Sequence, residues 1–237
     1  MTRPVILLTR PEASSRRMAA LLAARFGERV GFCISPVMEI VPDPRLPALD
    51  GIRTLIFTSA NGVAAYVSAL GPKTLPCYTV GDATARAAQE AGLKAISAGG
   101  DAEALIKRII HDGALGPMLH LRGAHARGDI AERLSAQGCP ASQAIVYSQS
   151  ACPLTEEALA LLQGQGPVIL PLFSPRSAAL MGDGPVEAPV YVVAMSQNVV
   201  DALRFEVEHC VVAAHPDFEA VTEAIGALLE SSPWAVN

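Results

Sequence analysis

TLIFTSANGVAAY, residues 54–66, opens as an apolar run, passes through Thr58, Ser59, Asn61 and Gly62, and continues with helical period. A short run with no polar alternation is a strand buried on both faces, and a helix directly after it makes a strand–helix unit of a parallel sheet. The change of structure falls on small hydroxyl, amide and glycine residues. Such residues let something approach the backbone closely.

The same grammar recurs along the 237 residues. Strands are expected at Val5–Thr9, Phe32–Val41, Thr54–Thr58, Cys77–Val80, Lys94–Ser97, Met118–Leu121, Gln143–Ser148, Val168–Phe173, Val190–Ala194 and Cys210–Ala213. Helices fill the gaps. Asp101 and Asp129 stand where N-caps are expected, Gly138 where a helix should stop, and Asp217 precedes a stripe of Phe218, Val221, Ile225, Leu228 and Leu229.

The ten expected strands fall into two sets of five. "ILLTRPEASSRRMAALLA" from Ile6 parallels "LHLRGAHARGDIAERLSA" from Leu119, and Val80 parallels Val193, both 113 residues apart. Ile56 parallels Leu172 and Ile96 parallels Val212, both 116 apart. So long a period is a duplicated domain rather than a solenoid repeat. Five alternating strands per copy predict an α/β fold of two flavodoxin-like, doubly wound parallel sheets, with ligands beyond the carboxyl ends of the strands and a cleft between the copies. Local pattern alone would divide the chain near Gly113.

Composition narrows the function. A hydrophobic fraction of 51% and a net charge of -5 describe a globular, mildly acidic chain, unsuited to nucleic acid or an anionic membrane surface. The five cysteines are scattered, without a C-x-x-C pair, and read as reduced thiols. The apolar run near the N-terminus is too short for a signal peptide, so a cytoplasmic protein is expected. Neither a covalent nucleophile motif nor a metal-binding spacing among His111, His120, His125, His209 and His215 is apparent.

Candidate site residues sit at the strand ends. Ser59, Asn61 and Gly62 in one copy correspond to Ser174, Arg176 and Ser177 in the other. Ordinary N-capping explains either turn alone; both at equivalent places, with Arg176, favour an anion held by helix N-termini. Gly81 and Thr84 in "VGDATA" raise the same choice, without a dinucleotide or phosphate-loop fingerprint. Arg10 and Arg122 end equivalent first strands, as solvated surface groups or as forked donors to carboxylates. Tyr147, on the strand "AIVYSQS", reads as a packing residue or as the candidate proton donor.

"LLTRP", "IFTSANGV", "VGDATARAAQEAGL", "AIVYSQS", "LFSPRSAAL" and "VVAMSQNVVDAL", in this order, resemble uroporphyrinogen-III synthase along essentially the whole chain. The resemblance implies two domains, a discontinuous one of residues 1–34 with 151–237 and a continuous one of residues 42–143, joined by two crossing strands at 35–41 and 144–150. It implies a lyase of heme biosynthesis. Hydroxymethylbilane, a linear tetrapyrrole with eight carboxylates, loses its terminal hydroxyl; the resulting azafulvene joins the already substituted carbon of the last pyrrole, which inverts through a spiro intermediate. Without enzyme the chain closes to the symmetrical type I isomer. No cofactor or metal is implied.

Ser59 matches the family's "FTS" turn, Thr84 its "VGxAT" threonine, Ser174 its "FSP" turn, and Tyr147 its cleft tyrosine, the implied general acid. Ser196 stands where other members carry a Gly-Pro-Thr-Thr turn, and Ala64 replaces an arginine often found after "NGV". A monomer receiving its substrate from hydroxymethylbilane synthase is expected. The rival readings are a two-domain receptor for a small anion, without chemistry, and a regulatory protein on a decayed enzyme fold.

Overall fold

The computed structural model describes residues 3–114, 116–125 and 129–231. In chain order the elements are β1 (Val5–Leu8), α1 (Glu12–Phe26), β2 (Gly31–Ile34), β3 (Met38–Pro42), β4 (Thr54–Phe57), α2 (Ala60–Ser68), β5 (Pro76–Thr79), α3 (Asp82–Glu90), β6 (Lys94–Ser97) and α4 (Ala102–His111). There follow β7 (Met118–Gly123), α5 (Ile130–Ala136), β8 (Ala141–Ala151), α6 (Glu156–Leu162), β9 (Val168–Leu172), α7 (Pro175–Leu180), β10 (Val190–Ala194), α8 (Gln197–Val200), β11 (His209–Val212) and α9 (Phe218–Ser231). A single turn of 3₁₀ helix, Gly27–Arg29, follows α1.

Two compact units result, Met1–Glu39 with Ala151–Asn237, and Ile40–Ser150. The first holds a five-stranded sheet in the order β2-β1-β9-β10-β11, all parallel. Its strands feed two cores. Ile6 and Leu8 join Met18 and Leu22 of α1 and Val221 and Ile225 of α9, whereas Leu7, between them, joins Leu162 of α6 and Ala178 of α7. Helices on both faces follow from strands that are apolar at every position.

The second unit is built the same way on a six-stranded sheet, β3-β8-β7-β4-β5-β6, in which β8 through β6 are parallel. All four residues of β4 are buried. Leu55 and Phe57 meet Val63 and Tyr66 of α2, and Ile56 meets Leu105 and Ile109 of α4 and Leu134 of α5.

The strand orders explain the repeat. β1, β2, β9, β10 and β11 stand in one sheet as β7, β8, β4, β5 and β6 stand in the other, the equivalence that the sequence offsets indicate. The first half of the chain thus contributes β1 and β2 to the sheet completed by the second half, while β7 and β8 complete the sheet begun by β3 and β4. Each sheet mixes pieces of both copies.

The expected strand Phe32–Val41 is two strands in two sheets, and among the described residues eleven strands replace ten. Pro36 lacks an N–H for a ladder, and Ser35, fully buried, accepts a hydrogen bond from Thr155 N through its Oγ (2.9 Å). Asp101 and Asp217 cap their helices, accepting from Ala104 N and Ala220 N at 2.9 and 2.8 Å. Asp129 precedes α5 but makes no side-chain cap bond. Its backbone, at φ -116° and ψ 38°, lies outside the extended region that aims a cap at the first turn.

Where the chain leaves α2, Gly71 lies against the fully buried Tyr66, whose hydroxyl donates to Pro72 O at 2.8 Å. A Cβ at residue 71 would overlap the Tyr66 ring. Gly71→Ala is therefore expected to cost about 1–3 kcal/mol through overpacking, seen as a lower urea midpoint. An unchanged midpoint would mean that the ring has room to move. Among the described residues, no helix is long and apolar enough to cross a membrane.

Candidate functional site

Each unit gathers its own candidate residues at the carboxyl ends of its strands. In the first, Arg10 follows β1 and lays its Cζ 4.5 Å from the centroid of Phe173, which follows the neighbouring β9. Partial burial, and next the charge of Arg17, hold the Arg10 pKa below its ordinary value. The guanidinium is still charged at any working pH, and stacking fixes its direction.

Ser174 caps α7, accepting from Ser177 N at 3.1 Å and sharing a hydrogen bond with Ser177 Oγ at 2.9 Å. With Ser177 Oγ as the donor of that pair, the Ser174 hydroxyl hydrogen is left for a ligand. Arg176 is half-buried on the first turn of α7. Ser196 occupies the cap position of α8 without a side-chain cap bond, which leaves its hydroxyl free of partners among the described residues.

In the second unit Ser59 caps α2, accepting from Asn61 N at 3.2 Å, while the Asn61 side chain is half-buried. Gly62 has a packing reason to be glycine, because a Cβ there would stand 2.9 Å from Leu121 O of β7. Gly81 precedes α3 in an extended conformation, and a Cβ there would meet nothing nearer than Gly100 O at 4.0 Å. Thr84, inside the first turn of α3, is buried. Gly62 and Thr84 already donate their N–H groups to Ser59 O and Gly81 O, at 3.0 and 3.1 Å, so any free backbone donors of these turns belong to their neighbours.

Arg122 reaches across to the next strand, donating through Nη1 to Gln143 Oε1 at 2.9 Å. Beside it the ladder slips: Arg122 pairs with Ile145 but Gly123 with Tyr147, so Val146 and Tyr147 are both buried in succession. A bulge of this kind re-aims a side chain. Here the Tyr147 ring lies against Gly123, where a Cβ would come within 2.8 Å of its Oη.

The Tyr147 hydroxyl makes no hydrogen bond to a described residue. Tyr147 is one of the residues lining an open depression of about 410 Å³ whose walls also include Val41, Pro42, Asp43, Arg45 and Ile145. Arg45 donates to both carboxylate oxygens of Asp43 at 3.2 Å, and these hydrogen bonds hold the Asp43 pKa low. Apolar walls, a charge pair and a free phenol suit an aromatic ring bearing carboxylates.

Three features escape a reading of the sequence. Phe173 under Arg10 joins residues of two strands far apart in the chain, and the ladder slip at Tyr147 has no local signature. The third is a hydrogen bond between Thr58 Oγ1, just beyond β4, and Nε2 of the buried His120 on β7, at 3.2 Å. A lone histidine within "MLHLRG" was its only trace. Among the described residues, no three His, Cys, Asp or Glu side chains could share a metal ion, and all five cysteines are free thiols.

The family model for uroporphyrinogen-III synthase HemD matches residues 17–223. The uroporphyrinogen-III synthetase of Helicobacter pylori 26695 is similar in structure, with a TM-score of 0.65 at 18% identity over 95% of this chain and 99% of that one. A mutant uroporphyrinogen III synthase from the extremely thermophilic bacterium Thermus thermophilus gives 0.49 at 15% identity over 97% and 100%. No protein of curated function matches in sequence.

Proposed function

The chain belongs to the uroporphyrinogen-III synthase family, a lyase of tetrapyrrole and heme biosynthesis, and from that premise we propose which of its residues do the work. The reaction is the dehydrative closure of hydroxymethylbilane to uroporphyrinogen III with inversion of the terminal ring. The family match leaves the receptor reading without support.

Tyr147 is the general acid. Its proton goes to the departing hydroxyl, which leaves as water while the pyrrole nitrogen supplies the electron pair that forms the azafulvene. Closure onto the substituted carbon, which bears no hydrogen, gives the spiro intermediate; the proton that restores the phenol leaves the free α-carbon of the last pyrrole when the inverted ring is joined there and regains aromaticity. The observation that carries this role is a phenol buried by its ring yet free of partners at its oxygen, beside an open depression.

Substrate carboxylates are held by Arg10, Arg122, Arg176, Asn61 and the hydroxyls of Ser59, Ser174 and Ser196, with backbone N–H groups near Gly62, Gly81 and Thr84. Spreading the grip over many turns suits an acidic chain that has no large basic patch. It also suits a reaction in which folding a flexible substrate decides the product. The enzyme acts as a cytoplasmic monomer that takes its substrate from hydroxymethylbilane synthase; the free thiols support the reducing compartment.

The test is isomer analysis. Hydroxymethylbilane is generated in situ from porphobilinogen by a deaminase, the protein is added, and the oxidised porphyrins are separated by chromatography. Type III is expected to predominate and to rise with protein concentration. Type I alone, as in the protein-free control, would overturn the enzymatic reading.

A further inference from the structure

His120 is 1% exposed in the middle of β7, and its Nδ1 is the one buried side-chain nitrogen or oxygen among the described residues without a hydrogen-bond partner. Its other nitrogen, Nε2, lies 3.2 Å from Thr58 Oγ1. Burial, and next the charge of Arg122, push the imidazole pKa down to about 4, so the ring is neutral near pH 7 and carries one N–H.

The location of that hydrogen decides what Thr58 can do. On Nδ1 it would be a buried donor with no acceptor, the costlier kind of orphan; on Nε2 it leaves only an unused lone pair inside. Nε2 therefore holds the hydrogen and donates it to Thr58 Oγ1. The hydroxyl hydrogen of Thr58 must then find an acceptor elsewhere, and no described residue supplies one. Thr58 is half-buried at the strand end, so that hydrogen has a way out.

Arg122 stands beside it. Phe57 and Leu121 are the last paired residues of β4 and β7, so Thr58 and Arg122 leave adjacent strands level with each other. Strand alternation puts both on the face of Ile56 and His120.

We propose that Thr58 donates to a carboxylate of the linear tetrapyrrole, held in that direction by Nε2–H of His120, with Arg122 supplying the complementary charge. His120 is a positioning residue, and the inference rests on the synthase reading. It adds Thr58 and His120 to a turn otherwise represented by Ser59 and Asn61.

The experiment compares Thr58→Val, Thr58→Ser, His120→Gln and His120→Leu. Type III formation gives kcat and KM, and anaerobic calorimetry with uroporphyrinogen III gives product affinity. Thr58→Val is expected to raise KM and weaken product binding about tenfold or more with kcat within twofold of wild type, as loss of a hydrogen bond to a charged group predicts. Thr58→Ser should restore both. His120→Gln, whose side-chain amide can replace the Nε2 donor, should lie near wild type, and His120→Leu near Thr58→Val.

Long-range ¹H–¹⁵N spectra should show His120 with Nε2 protonated. Unchanged KM and product affinity in Thr58→Val, or an Nδ1–H ring, would overturn the proposal even if His120→Leu fails to fold. A wild-type protein that forms no type III would sink the synthase reading, and this proposal with it. Wild-type turnover with an indifferent Thr58→Val would sink the proposal alone.

Discussion

Tyr147→Phe is expected to lower the rate of type III formation about hundredfold at saturating substrate, the lower end of what a positioned general acid contributes. The substitution is well suited to isolate the hydroxyl. The ring is held by its contact with Gly123 and by the core around Leu121 and Val146, and phenylalanine keeps that packing. The Tyr147 oxygen has no described partner to be orphaned by its loss, so the thermal midpoint should change little. Because unassisted closure gives the symmetrical isomer, the slower variant should also let type I accumulate. A rate within a factor of two of wild type would remove Tyr147 from the acid role and leave folding of the substrate as the whole of catalysis.

How far the sequence could have led to this picture differs between fold and site. Strands such as Thr54–Phe57 and Val190–Ala194 are visible because burial on both faces demands an unbroken apolar run. The duplication is visible because equivalent strands end in equivalent turns. Which strands share a sheet is not, because β1 beside β9 and β7 beside β4 are choices between apolar surfaces of the same kind. Pattern alone would therefore cut the chain near Gly113, within what the structure shows to be one unit. It also runs one strand through Pro36, where the chain passes from one sheet to the other.

At the site, residues that act through their own type were legible. Ser59 and Ser174 are recognisable as turn residues from their neighbours, and each does cap a helix. Gly62 gives the same signal for another reason, the close approach of α2 to β7. What depends on distant partners left little trace. Thr58 and His120 are 62 residues apart, and neither a threonine ending a strand nor a histidine inside one announces the other.

That pair also makes stability depend on pH in a defined window. The His120 pKa falls from 6.5 in the unfolded chain to about 4 in the fold, through burial first and the Arg122 charge second. Between those values the unfolded chain binds the proton and the folded one does not, so acid favours unfolding. Stability from this source is complete above pH 6.5, declines as the pH falls toward 4, and is lost below it. The span corresponds to a loss on the order of 3 kcal/mol. Carboxylates titrate over part of the same range, so the measurement is a difference: urea unfolding of wild type and His120→Leu at several pH values. Wild type should lose stability relative to the variant between pH 6.5 and 4, with the difference levelling off below. A difference that stays constant through the window would mean that water reaches the ring, and the unpaired Nδ1 would then no longer fix the hydrogen on Nε2.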